Sequence, residues 1–259
     1  MLDPREGVAP DGTITTGVGH EMVPDAYLPL LADALTAVVG TASGATLYLY
    51  GSVATGQAHR GRSDVDLLAL ALDRSTAAAI SNTLSTRYRE LCRGAELTAA
   101  SRDDFTGDSD EAYGNRVFLR HYCVHLTGPD LAQRLPAFPA DIRAARGFNG
   151  DLAQHAVLWR YAVDRGDEDP ADLGRRIARK TLLATAGLVS IHDNTWTTDR
   201  ERGADRWGDI NPDLASNLDT LLGWSEGRRT PSRREIEVLL DTTVGRITDA
   251  FRQRIGLWT

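Results

Sequence analysis

Asp64 and Asp66, one residue apart at the head of an apolar run, are the side chains of this chain best suited to chemistry. They stand in the segment LYGSVATGQAHRGRSDVDLLALAL, residues 49–72. The run beyond Asp66 is apolar enough for a strand covered on both faces. Side chains two apart on a strand share a face, so the two carboxylates converge, with Cα atoms about 6–7 Å apart. Such a pair suits shared ligation of hard divalent cations, and magnesium prefers carboxylate, phosphate and water oxygens. Upstream, a β-rich run (Thr46–Tyr50) ends at Gly51-Ser52. Gly51 allows an anion to approach the backbone closely, and the Ser52 hydroxyl adds a donor. A loop with Gly56 and Gly61 then ends in Ser63. This chemistry is phosphoryl transfer: a triphosphate held still, its charge neutralised, and attacking and leaving oxygens kept in line. It also needs a base near the acceptor hydroxyl. Glu96 opens a further strand (ELTAA) and fits that role. Asp103 and Asp104 compete for it but read as caps of the next helix.

These groups need a sheet to converge on. Pro24 to Val39 has helical spacing, with Leu28, Leu31, Leu35 and Val38 on one face. Thr46–Tyr50, Asp64–Leu72, Glu96–Ala100 and Val117–Leu126 read as strands. Ser75–Cys92 reads as a helix with Ser75 as its N-cap. Beyond Pro139 strand signals vanish, and Leu152–Val163, Asp172–Ile191, Leu214–Trp224 and Arg233–Ile255 are helical. The expected fold is therefore α+β, with strands and helices alternating in the first half: a mixed β-sheet with helices, followed by a C-terminal helical bundle. Residues 1–20 are expected to be a loose arm, 21–138 the sheet domain and 139–259 the helical domain.

At these residues the chain resembles the DNA polymerase β-like nucleotidyltransferase superfamily, and within it the small bacterial aminoglycoside nucleotidyltransferases. The family pattern stands complete as Gly51-Ser52, Gly56 and Ser63-Asp64-Val65-Asp66-Leu67, with the third carboxylate resembling Glu96 in AELTAASRDDF and an exit similar to Val124–Asp130, VHLTGPD. The resemblance implies that Asp64 and Asp66 bind two magnesium ions and that Glu96 deprotonates the acceptor or shares a metal. It implies that Ser52 and Ser63 hold the phosphates of ATP, and that AMP passes to a small hydroxylated, cationic acceptor of the aminoglycoside kind. Relatives place a basic residue of the helical domain on the triphosphate. Lys180 is the candidate, with Arg176 and Arg179 as alternates; it is the one lysine among 29 basic side chains.

Composition narrows the partners. A formal net charge of −7 disfavours a broad nucleic-acid surface. No apolar run approaches the roughly 20 residues of a membrane span, and the first 20 residues lack the basic-then-apolar order of a signal peptide. Cys92 and Cys123 are far apart and outside any metal-spaced cluster, as in a cytoplasmic protein. A monomer or homodimer is expected. His121, His125 and His155 read as packing or surface residues, and Trp159 and Trp196 as the aromatics to inspect for acceptor contact. Two other functions compete: a modifier of a protein or tRNA, and a catalytically silent nucleotide-binding regulator. Three retained carboxylates speak against the second, because a pure binder has no use for so much gathered negative charge.

Overall fold

The computed structural model describes residues 3 and 5–258 of the 259-residue chain. A short ribbon comes first, β1 (Gly7–Val8) and β2 (Ile14–Thr15). After it come α1 (Leu28–Thr41), β3 (Thr46–Tyr50), α2 (Gly51–Ala54), β4 (Val65–Leu70), α3 (Arg74–Arg87), β5 (Ala95–Ala100), α4 (Asp110–Tyr122) and β6 (Val124–Thr127). The remainder is helical: α5 (Ile142–Asn149), α6 (Leu152–Arg165), α7 (Pro170–His192), α8 (Arg200–Ile210), α9 (Ala215–Ser225), α10 (Arg233–Leu239) and α11 (Gly245–Arg254). The single long helix expected over Arg233–Ile255 is interrupted by a π turn at Leu240–Val244.

The larger sheet has the order β5-β4-β3-β6, with β4–β5 parallel and the other pairings antiparallel. A parallel pair requires a crossover, and α3 supplies it. Alternation along β4 sends Val65, Leu67 and Ala69 into a core with α1 and α3. Leu68 and Leu70 pack on the other face with Tyr48, Phe105 and Leu119. The cap of α3 is Asp73, which accepts from the Thr76 N–H at 2.8 Å, and the expected cap Ser75 is already inside the helix.

Two expectations are overturned here. Residues 110–122, which include most of the strand expected at Val117–Leu126, form α4, and only Val124–Thr127 is extended. Ser109 caps the helix by accepting from the Ala112 N–H, Asp110 and Glu111 fill its first turn, and Arg120 and His121 fill its last. These are favourable placements at both ends of a helix dipole. The described part of the first 20 residues is not a loose arm. Ile14 is buried in the helical core, and the Ile14 N–H donates to the Phe138 carbonyl at 2.9 Å. Pro4, Met1 and Leu2 of that arm lie outside the described residues.

Helix α4 joins the two halves. Leu119 packs against the sheet, whereas Tyr113 and Val117 belong to the helical core. It crosses α5 at Gly114 and Gly147, where a Cβ added to Gly114 would meet the Gly147 carbonyl oxygen at 2.3 Å. Gly114→Ala is therefore expected to destabilise the fold by about 3 kcal/mol, as overpacking of rigid backbone does. Chemical denaturation checks this, and an unchanged midpoint would mean that the helices do not cross this closely.

Candidate active site

The sheet presents its carboxylates at one end. Asp66 and Glu96 are register partners on the parallel strands β4 and β5, and Asp66 is also paired with Tyr50 on β3. Asp64 precedes β4 and receives the Arg93 guanidinium, with Nε at 3.0 Å from Oδ1. Burial raises the Asp66 carboxyl to about 6, and the charges of Glu96 and Asp64 add to the effect. Burial and then Asp66 push the Tyr50 phenol up to about 12. The end of the sheet therefore carries more negative charge than its surroundings balance.

The loop before it is shaped around these groups. Gly51 has φ of +73°, and a Cβ there would lie 2.3 Å from Asp66 Oδ2, so only glycine leaves room for this carboxylate. The Ser52 carbonyl accepts from the Gln57 N–H at 2.9 Å, and Ser52 itself lines the cleft. Ser63 is buried, and its hydroxyl accepts from the His59 N–H at 2.9 Å, closing the loop. Asp103 and Asp104 lie outside the cleft, Asp104 closing a capping box with Ser101.

Opposite the carboxylates lies the helical half, across a cleft of ≈ 970 Å³. It contributes Arg175 and Arg179 from α7 and Arg200 from α8. Among the described residues neither Arg179 nor Arg200 has an ion-pair partner. Burial, and then the neighbouring Arg179 charge, lower the pKa of the Arg200 guanidinium. Two neighbouring cations, of which Arg200 is partly buried, facing acidic groups across open space, suit a polyanion laid between them.

Lys180 is not brought to this cleft. It sits on the adjacent face of α7, with its ammonium 2.6 Å from Asp151 Oδ1 and donating to the Phe148 carbonyl at 3.1 Å. The reason is helical geometry: neighbouring residues point about 100° apart, so Arg175 and Arg179 share one face while Arg176 and Lys180 share the next. Of the two alternates, Arg179 reaches the cleft; Arg176 turns to Glu168.

Arg200 and Glu6 carry no mark in the sequence. Glu6, on the N-terminal segment, accepts from the Tyr122 hydroxyl at 2.6 Å, the Thr198 N–H and hydroxyl at 2.7 Å each, and the Thr197 hydroxyl at 3.1 Å. Tyr122 in turn accepts from Trp196 Nε1 at 2.7 Å. Glu6 thus ties the start of the chain, α4 and the loop before α8 into one wall of the cleft. No spacing pattern links residue 6 to residue 198, so no local signal could have found it.

Among the described residues no group of three or more His, Cys, Asp or Glu side chains is gathered as a metal site. The donor set nonetheless fits a hard cation. Asp64, Asp66 and Glu96 are oxygen ligands, Asp66 is held against its preference to stay ionised, and the Arg93 guanidinium occupies one carboxylate as a counter-charge.

Residues 33–93, which span β3, α2, β4 and α3 and carry Asp64 and Asp66, match the family model of the nucleotidyltransferase domain. The fold is similar to that of the spectinomycin adenyltransferase AAD(9) from Enterococcus faecialis, whose crystal structure holds ATP and spectinomycin. The TM-score is 0.55 at 10% sequence identity, covering 87% of this chain and 99% of that one. No curated protein matches the chain by sequence. No helix of the described residues is long and apolar enough to cross a membrane.

Proposed function

We propose that this nucleotidyltransferase moves AMP from ATP to a hydroxyl of a small acceptor and releases pyrophosphate. The observation that carries the proposal is the register pairing of Asp66 with Glu96, beside Asp64, across one cleft from Arg179 and Arg200. The ATP held by the AAD(9) neighbour supports ATP as donor, and its spectinomycin makes aminocyclitols and aminoglycosides the first acceptors to test.

In this reading residues 21–138 form the nucleotidyltransferase domain and 139–259 the helical domain, in a cytoplasmic monomer or homodimer. Arg179 and Arg200 hold the β- and γ-phosphates, and Ser52 and Ser63 line the phosphate loop. Lys180 is set aside from that role by its place outside the cleft. Asp64, Asp66 and Glu96 would hold two magnesium ions, which when bound neutralise the charge developing on the transferred group. Glu96 takes the proton of the acceptor hydroxyl on its carboxylate. The acceptor oxygen bonds to the α-phosphorus as the bond from that phosphorus to the pyrophosphate oxygen breaks.

The test is pyrophosphate release from ATP and magnesium across a panel of neutral, cationic and anionic hydroxylated acceptors, with Glu96→Gln alongside. Release should depend on one acceptor class and fall by about a hundredfold or more in the variant, the usual worth of a general base. Acceptor-independent release, or wild-type rates in Glu96→Gln, would overturn the assignment.

A further inference from the structure

A second cavity of ≈ 580 Å³ opens beside the cleft and shares Tyr122, Arg179, Thr198 and Arg200 with it. Its walls are aromatic. Phe118 and Tyr122 come from α4, Phe148 from α5, and His155 stacks on Trp159 from α6, with ring centroids 5.4 Å apart. Its charged lining is entirely basic, and no carboxylate lines it. The cations stand on α7 in two stripes. Arg175 and Arg179 face the cleft, while Arg176 and Lys180, one turn apart, face this bay, with Arg179 bordering both. The ion-pair partners of the inner stripe, Glu168 for Arg176 and Asp151 for Lys180, sit outside the lining. Lys180 donates to the Phe148 carbonyl and pairs with Asp151, which also pairs with His155 Nε2 at 3.0 Å.

We propose that the bay is the acceptor site and that its ligand is a hydroxylated molecule with a flat apolar ring and an anionic group, a phosphate or carboxylate. The inference rests on the transfer reading for the fate of the ligand, not for its binding. The aromatic walls accept a ring face, and the Arg176–Lys180 stripe accepts the anion. A polycationic acceptor would meet the unpaired Arg179 and Arg200 here, and the nearby carboxylates Glu168 and Asp151 are already paired with Arg176 and Lys180, the reverse of what recognises such a molecule. A nucleobase would instead need neutral donors and acceptors along its edge. Of the lining side chains only Thr198 and Tyr122 carry neutral hydroxyls, and Glu6 already accepts a hydrogen bond from each.

Calorimetry on the intact protein without ATP tests this with phenyl β-D-glucoside 6-phosphate, its unphosphorylated parent, and spectinomycin. The phosphate should bind about tenfold or more tightly than either of the others, a difference of about 1.4 kcal/mol. Lys180→Gln should remove most of that preference while leaving the neutral glycoside's affinity within about twofold. Should Lys180→Gln fail to fold, Arg176→Gln, at an exposed position, makes the same measurement. Equal binding of the three probes overturns the proposal. So does displacement of the phosphate by adenosine, which would make the bay the donor's base pocket. ATP binding in magnesium, measured on the same preparations, separates the two readings: if it is present while the probes show no preference, the bay assignment falls and the transfer reading stands.

Discussion

Asp66→Asn is expected to reduce pyrophosphate release by at least about a thousandfold while leaving the protein folded and, near neutral pH, more stable than the parent. The loss comes from removing one oxygen ligand and one charge from the group that positions the transferred phosphorus. The gain comes from linkage. The Asp66 carboxyl is raised from 3.8 to about 6 by burial and by the Glu96 and Asp64 charges. For an acid whose folded value lies above its unfolded one, the protonated form is favoured by folding. The contribution to stability is therefore full below pH about 4 and is lost as pH rises through about 6. The metal-free parent should lose stability across that window, and the asparagine variant should show a flatter profile. Thermal melts at pH 4 to 7 without metal, paired with turnover, check both parts. A variant that turns over like the parent would remove Asp66 from the site, and parallel melting profiles would mean that its carboxyl is not pressed upward.

Glu6→Ala should destabilise the protein by about 3 kcal/mol, since several donors lose their acceptor together and buried ones cost about 1–3 kcal/mol each. The Tyr122 hydroxyl, the Thr198 N–H and hydroxyl and the Thr197 hydroxyl all converge on this one carboxylate. Tyr122→Phe removes one of these donors and the acceptor of the buried Trp196 Nε1–H, and should cost about 2 kcal/mol. Denaturant midpoints with an unchanged slope measure both. A Glu6→Ala midpoint within about 0.5 kcal/mol of the parent, the range of an ordinary surface substitution, would mean that the N-terminal segment is not attached in solution. Turnover should fall with Glu6→Ala as well, because the same network forms one wall of the cleft.

The central strands were legible because their apolar residues alternate or run without a break and their ends carry sharp punctuation. Thr46–Tyr50 stops at Gly51, and β4 begins just after Asp64. The carboxylates were legible for the same reason, since strand alternation fixes which side chains share a face. Helix α4 was not. VFLRHYCVHL is rich in strand formers, and the helical spacing shows only when Ser109, Asp110 and Glu111 are read as its start. The short helices α5 and α8 leave little trace in the sequence because each offers only two or three turns of pattern around glycines. Lys180 shows a finer limit. Sequence locates a basic helix but not its rotation, and one residue of difference turns a side chain from the cleft to the bay. The first 20 residues misled because their Gly, Asp and Thr content resembles a linker. Their two anchors, Glu6 and Ile14, gain partners only in the folded chain.

The contact of Gly114 with Gly147 has a mechanical consequence. Where helices meet through long side chains, they can slide or tilt as those side chains change rotamer. Here main chain rests on main chain, with no compliant layer between, and α4 is embedded in both halves. The gap between carboxylates and arginines is thus a preset jaw width rather than the open position of a hinge. Fit to the donor must come from groups already in place.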